Sequence, residues 1–575
     1  MVKTRYFSPS AWLYCALLLP HNLAWLEKIN EEKTESFQIL QTCKLLAKHF
    51  QNLQILQWNY GEYGMLLAQK AIADVLIDNY LRTFETIHRI LHIPSFMRDY
   101  ELLWSETEVT PVKFIIQVQL CLALGSLVYD DDFTLRPQAL HWTREAGAWL
   151  ESAAKRRLMF STIQTMCLYQ LAREGLQGTY GDRIWIVSGS LVRAAMSIGL
   201  HRDPTKLPPT SATHAEMRRR LWTTVVELAL SSCLDPGAAP LISLDDFDCK
   251  LPSNLDDAQL NLDSNHSPKP RDKDQYTDSS LQIALGRTIG TRIAMARFCT
   301  KLNPDGYDKT LGLNNDYNTA CRALSESLQS LKPAPSEFQR QYCELVMSQY
   351  SFALHVQYMM ICSRNPSYLL SRKVCVDTAL NLARSSLPLA SGHDQVLATM
   401  QAMTMNQSPQ GSEFVRLCIC GSGPYRSALF QALMIIASEL ITMIEERKGS
   451  LHWPTGLLGG DMRAHELLSL LRVGAEWTRL RMRVGQEINK DHLFVTLAIS
   501  NIEALMKEEA VMEAMDVSGK IACLEVEQIL KELLSAYNDE QIPEVRFSSE
   551  EDDLLGFDEM WLIQNGDFDT NLVDL

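Results

Sequence analysis

Apolar residues recur every three to four positions along most of this chain, a spacing that fits one buried face of a helix and little else. Runs rich in Leu, Ala, Met and Glu follow one another, and few stretches alternate β-branched with polar residues. The spacing predicts helices over 37–50, 70–87, 113–127, 160–173, 182–198, 215–233 and 281–301. It predicts further helices over 337–363, 374–386, 425–447, 462–484, 491–514 and 525–536. The fold class is all-α. Polar or Gly/Pro-rich intervals at 204–210, 256–279, 403–413 and 452–460 punctuate the pattern, and no repeat of fixed period is present. These breaks divide the sequence into a helical lead-in (1–70), a first helical block (71–255), a polar linker (256–280), a second helical block (281–537) and a tail (538–575).

A chain of 575 residues with 46% hydrophobic and 21% charged residues has ample material for a large core. Its net charge of −15 argues against coating nucleic acid by bulk charge, which needs Lys and Arg to neutralise phosphates. Fourteen cysteines are scattered singly in apolar stretches, as expected of buried thiols in a reducing compartment. The Cys418-Ile419-Cys420 pair has no second pair nearby to complete a metal site. Lys3 and Arg5 precede an apolar run over 11–19, but Pro20, His21 and Asn22 end it without a small-residue cleavage site. It reads as a short core helix. No run approaches about 20 uninterrupted apolar residues, so no membrane-spanning helix is expected.

Signatures of catalysis are missing: no Walker-type loop, no G-x-S-x-G, no H-E-x-x-H, and no G-x-G-x-x-G after a strand. His201-Arg202-Asp203 mimics the kinase triplet, but Pro208 stands where the metal-binding Asn belongs. Gly421-Ser422-Gly423 reads as an interhelix turn rather than an anion seat. The densest constellation runs from 182 to 252. Trp185, Gly189 and Ala194 lie on a helix that Gly199 can close in the left-handed conformation. Thr213 and Glu216 have capping-box spacing, and Glu216 and Arg220 stand i,i+4 and can pair. Arg218, Arg219 and Arg220 span about 200° of a helix and cannot all face one ligand. The constellation reads as a helix–turn–helix pair fixed by buried ion pairs.

These same residues carry a resemblance. W-x3-G-x4-A from Trp185, then Gly199-Leu200-His201-Arg202-Asp203-Pro204, then E-x-R-R-R-x-W from Glu216 to Trp222, is similar to the middle homology region of fungal-specific transcription factors. Upstream, Tyr80 to Glu85 with Phe84, and Arg89-Ile90-Leu91-His92-Ile93-Pro94-Ser95-Phe96, followed by Tyr100 and Trp104, resemble that family's entry motif. Downstream, Ile242 to Asp248 and Leu251-Pro252 resemble the segment that closes the region. The resemblance covers roughly 75–260. Two departures accompany it. Glu227-Leu228-Ala229 and Leu234-Asp235-Pro236-Gly237 replace an aromatic-Asp-Arg run and G-R-P. The six-cysteine zinc cluster that usually accompanies the region is not found, since residues 1–70 hold just Cys15 and Cys43.

The last 26 residues hold nine acidic and no basic residues, so more than half of the net charge sits there. Leu554, Leu555, Phe557, Met560, Trp561, Leu562 and Phe568 are interleaved with them. Acidic-hydrophobic alternation is the composition of a disordered activation segment that folds in a coactivator groove. Together with the resemblance it implies a non-enzymatic, nuclear regulator of RNA polymerase II genes, of a metabolic or secondary-metabolite cluster. It would use no cofactor and no membrane, would contact coactivators or the general transcription machinery through the tail, and would reach promoter DNA indirectly. The resemblance also implies a homo- or heterodimer. The alternative is a non-catalytic helical scaffold or co-regulator.

Overall fold

A computed structural model describes residues 8, 10–56, 63–105, 110–152, 158–176, 181–260, 268–302, 306–362, 364–388, 412–449, 458–485 and 489–537. Within them the chain forms five 3-10 segments, the first over Trp12–Leu18, and twenty α-helices. The helices are α1 (Pro20–Glu32), α2 (Glu35–Leu56), α3 (Lys70–Arg82), α4 (Phe84–His88), α5 (Ile93–Leu103), α6 (Val112–Ser126), α7 (Arg136–Glu151), α8 (Phe160–Leu176), α9 (Gly181–Ser197) and α10 (Ala212–Leu234). They continue as α11 (Ser280–Gly286), α12 (Ile289–Cys299), α13 (Tyr307–Ser330), α14 (Glu337–Ile361), α15 (Leu369–Ser386), α16 (Glu413–Cys420), α17 (Pro424–Gly449), α18 (Leu458–Arg483), α19 (Asn489–Lys507) and α20 (Val511–Tyr537). Among the described residues the sole β pairing is an isolated bridge between Gln275 and Lys332. The all-α expectation is met.

Helix α17 is the centre. Ala428, Leu429, Phe430, Ala432, Leu433, Met434, Ile435, Ile436 and Ala437 are all buried, so the helix is wrapped on every side, as an all-round apolar helix must be. Its first 24 residues are long and apolar enough to cross a membrane by composition, but 83% of the apolar window lies inside the body, and Arg426, Gln431 and Glu439 interrupt it. It is a core helix. Around it pack α14, α15, α18, α19 and the Trp12–Leu18 segment.

Several boundaries differ from the periodicity. The run over 70–87 breaks at Thr83, whose hydroxyl donates back to the Asn79 carbonyl, and the run over 281–301 breaks between α11 and α12. The run over 491–514 breaks between α19 and α20, and α20 absorbs both its end and the segment over 525–536. Pro20, read from sequence as a terminator, is the first residue of α1, where its missing N–H costs nothing. The apolar run before it is 3-10 helix. Helix α13 escaped the spacing because it buries a thin stripe, Thr310, Leu313, Asn314 and Leu324. Helices α1, α5, α7 and α16 were also missed.

The interval read as a polar linker is tied into the body at both described ends, with Asp257, Thr277 and Ser279 all buried. The lead-in joins the end of the described chain. Asn22 donates to the Phe494 carbonyl (2.9 Å), Trp25 donates to Asp516 (3.0 Å), and Cys43 packs beside Val526 and Ile529. The tail over 538–575, with Leu554, Leu555, Phe557, Met560, Trp561, Leu562 and Phe568, lies outside the described residues.

Candidate functional site

Gly199 closes α9 with φ +74°, its amide bonding the Met196 carbonyl (2.9 Å) while the Leu200 amide reaches Ala195 (3.0 Å). This left-handed cap turns the chain into His201-Arg202-Asp203. Helix α10 then begins from Ser211, whose hydroxyl accepts from the His214 amide (3.2 Å). Ser211, not Thr213, is therefore the N-cap. Thr213 lies inside the first turn, and Glu216 accepts from the Ser253 amide (2.6 Å) instead of reaching back to cap the helix.

The three arginines of α10 diverge as their helical angle requires. Arg218 donates to the Gly199 carbonyl (2.6 Å) and the Ile198 carbonyl (3.2 Å), where the negative end of α9 lies. Arg219 forks onto Asp203 (3.1 and 3.2 Å) and lies 3.5 Å from Glu216. Arg220 bonds Asp257 and the Leu255 carbonyl (3.1 Å). The expected Glu216–Arg220 pair is thus replaced: Glu216 leans one residue short, to Arg219, because Arg220 is drawn to Asp257 on the other flank.

Asp203 is fully buried and accepts also from the Thr205 hydroxyl (2.7 Å), the Thr205 amide (3.0 Å) and the Lys250 amide (3.1 Å). Burial alone would raise its carboxyl, but Arg219, Thr205 and Lys250 outweigh it and hold the group well below the carboxylate range. Arg202 points outward to Asp248 (3.1 Å), while the His201 carbonyl accepts from the Asp248 and Cys249 amides (3.1 Å each). The His201 ring, the buried Trp222 and Phe247 meet in sequence, as a tilted and then an edge-on pair, at 6.1 and 5.6 Å between centroids.

Asp257 links this turn to the entry motif. It accepts from Arg89, from Arg220 and from the Ile93 amide (2.7 Å). Burial works to raise its carboxyl; the two guanidiniums, Arg89 first, pull it below the usual value. Arg89 occupies the left-handed region (φ +47°) at the end of α4 and stands 3.9 Å from Glu85. Burial pushes Glu85 up to about 7, against Arg89 and the bond donated by Tyr80. His92 bonds Ser95 (2.8 Å) and lies 3.4 Å from the Asp257 carbonyl. Pro94 sits in the first turn of α5, where a proline fits, and Phe96 is buried against Tyr100 and Phe114. Phe84 meets Phe338 edge-on (6.0 Å). Trp185 is half-buried against a second core cluster around Met295 and Leu354.

The structure therefore brings Arg89, His92, Asp203, Glu216, Arg219 and Arg220 into one clamp, and leaves Trp185 outside it. Sequence reasoning missed Asp257 and the Arg292–Glu227 fork (2.5 and 2.6 Å), and it placed Glu85 in the entry motif without giving it a role. Asp257 sat inside a polar interval, and its one signal was the pair of flanking leucines, Leu255 and Leu260. Chemically the clamp is spent on itself: each α10 arginine is engaged by protein groups, and Gln282 joins the His88 and Arg220 carbonyls (2.9 Å each) behind it. Among the described residues no group of three or more His, Cys, Asp and Glu side chains could hold a metal ion. The Cys418 and Cys420 thiols are both buried.

Residues 77–341, which contain this whole clamp, match the fungal specific transcription factor domain. The chain is 32% identical to transcription factor opdR of Penicillium oxalicum over 473 residues, 77% of this chain and 57% of that one. It is 33% identical to transcription factor lepE of Aspergillus flavus over 58% of this chain and 40% of that one. It is 30% identical to the aspyridones cluster regulator apdR of Emericella nidulans over 70% of this chain and 53% of that one. The chain thus spans about half the length of these relatives. No solved structure matches it. A clamp built from the residues of the resemblance, inside the matching stretch and beside relatives named as transcription factors, identifies residues 77–341 of this chain as a fungal specific transcription factor domain.

Proposed function

We propose that this chain is a regulator, and specifically an activator, of RNA polymerase II genes belonging to a metabolic or secondary-metabolite cluster. The observation that carries the reading is the domain match over 77–341 together with a relative named as a cluster regulator. In this reading the protein works in the nucleus. The helical body is a rigid carrier, and the residues after Tyr537, with Trp561 and Phe557 among acidic neighbours, engage a coactivator or the general transcription machinery. These 575 residues hold no six-cysteine pattern, so the contact with promoter DNA is made by something other than them, such as a partner in a homo- or heterodimer.

The test is the full chain fused to a heterologous DNA-binding domain before a reporter. Activation is expected, with a several-fold loss on replacing Phe557 and Trp561 by Ala and unchanged protein levels. A silent fusion of the intact chain would instead support the non-catalytic scaffold or co-regulator.

A further inference from the structure

Apart from the clamp, a small cavity lies where helices from both halves of the sequence meet. His88 of α4, Glu174 of α8, Glu227 and Ser231 of α10, Tyr342 of α14 and Tyr425 of α17 line it. Its free space is about that of one water molecule. Two of the lining side chains carry a buried polar atom without a partner, Nδ1 of His88 and the Tyr425 hydroxyl, while His88 Nε2 meets the Tyr342 hydroxyl at 2.9 Å. A water needs two to four such partners, and this cavity offers them.

Glu174 is 2% exposed, and its carboxyl accepts from Gln170 Nε2 (3.0 Å). The cations on the surrounding elements are committed elsewhere. Arg292 forks onto Glu227, Arg426 onto Asp491 (2.7 and 2.6 Å), and Arg136 donates to the Leu176 and Cys420 carbonyls (2.9 and 3.0 Å). Arg173, next along α8, lies over the Tyr169 ring (5.6 Å). The remaining charged neighbours are the carboxyls of Asp235 and Glu227. The same glutamate anchors backbone: its carbonyl accepts from the Ser422 amide (3.0 Å), and the Ser427 hydroxyl donates to Asp235. The turn that starts the central helix α17 is therefore seated on Glu174 and Asp235.

We propose that this cavity is a proton-binding site, in which Glu174 stands as a neutral carboxylic acid beside one buried water and its proton keeps the turn entering α17 seated on α8. Loss of the proton would set a third negative charge beside Asp235 and Glu227 in a space whose cations are already paired, and the seat would loosen. The electrostatics agree in direction. Burial raises Glu174 to about 8, opposed by the Gln170 bond and Arg173 and reinforced by Asp235 and Glu227. Asp235 rises to about 6 through burial, against Ser427 and Arg426, and His88 falls to about 4 through burial, so both differ from Glu174 in where they titrate.

The test uses the full chain and Glu174→Gln, with urea unfolding between about pH 5.5 and 9. A folded-state value raised above the ordinary 4.5 gives stability complete below 4.5 and lost progressively as pH rises to about 8, with no further change above. Wild type is expected to gain up to about tenfold in unfolding equilibrium constant per pH unit across that window from this group. Glu174→Gln should lack that slope, and amide exchange over 424–430 should quicken with pH beyond its intrinsic rate in wild type alone. Equal slopes in the two proteins would overturn the proposal. If the variant does not fold, infrared spectra of Glu85→Gln labelled at glutamate carboxyls decide, because Glu85 is raised as well: a protonated-carboxyl band that titrates near pH 8 supports it, and no such band at pH 7 overturns it.

Discussion

Asp257 stands between two guanidiniums that have almost no access to water, Arg89 and Arg220. Removing its charge strands both, and breaking a buried pair from one side costs about 3–5 kcal/mol. Asp257→Asn should therefore lower urea-unfolding stability by that order, whereas Asp256→Asn, which touches the half-exposed Arg271, should cost under about 1 kcal/mol. A second residue-scale prediction concerns acid. Asp203 is held below its ordinary value of 3.8, so its contribution is complete above that pH and fades as pH falls through the depressed folded value. Asp203→Asn should lower stability at neutral pH and flatten the acid limb below about pH 4 in a denaturation series. The sequence made Arg218, Arg219 and Arg220 readable as three separate contacts, since angle along a helix is fixed by residue number. Their partners were less readable. Asp203 was in plain view one turn away, but Asp257 is an acid among acids, and only folding selects it from Asp256 beside it.

At the scale of elements, the width of the buried face decides what a glycine can do in a helix. It does not account for every helix that periodicity overlooked, since α16 buries six of its eight residues. Helix α13 is the narrow case. Its four buried residues leave most of its 24 positions in water, so asparagines and Gly312 are tolerated there. A side chain at Gly312 would meet nothing within 4 Å, and Gly312→Ala should raise stability by about 0.5–1 kcal/mol through backbone entropy alone. Helix α6 is the opposite case. A Cβ on Gly125 would fall 1.9 Å from the Leu76 carbonyl oxygen, so α3 and α6 cross backbone to backbone. Gly125→Ala should destabilise by at least about 1–3 kcal/mol, since backbone cannot swing aside as a side-chain end can. Thermal melts of the two alanine variants should move in opposite directions. Neither glycine is marked out in sequence, because the distinction lies in what the neighbouring helix places beside it.

At the scale of the whole molecule, the division into blocks belongs to the sequence more than to the core. One continuous apolar cluster runs from Leu13 to Cys523 and takes residues from both sides of the 256–280 interval. Polar contacts cross it too: Arg292 forks onto Glu227, and His88 meets Tyr342. Composition marked the interval because it is polar, yet its described ends supply counter-charges to buried arginines. The first and last described helices are joined in the same way. Trp25 is fully buried, its ring fills the space where a Cβ on Gly519 would come within 2.4 Å, and its indole donates to Asp516. If the body is one cooperative unit, a cut in the middle should be as damaging as a cut at this seam. Residues 1–260 and 268–575 expressed apart should each be insoluble or expose apolar surface to a dye, and co-expression should restore a compact complex. Trp25→Ala should cost about 3–5 kcal/mol and speed amide exchange in α20 as well as in α1, nearly 500 residues away in sequence. Exchange that quickened in α1 alone, or two halves that each folded and melted sharply, would show that the seams are boundaries rather than interior.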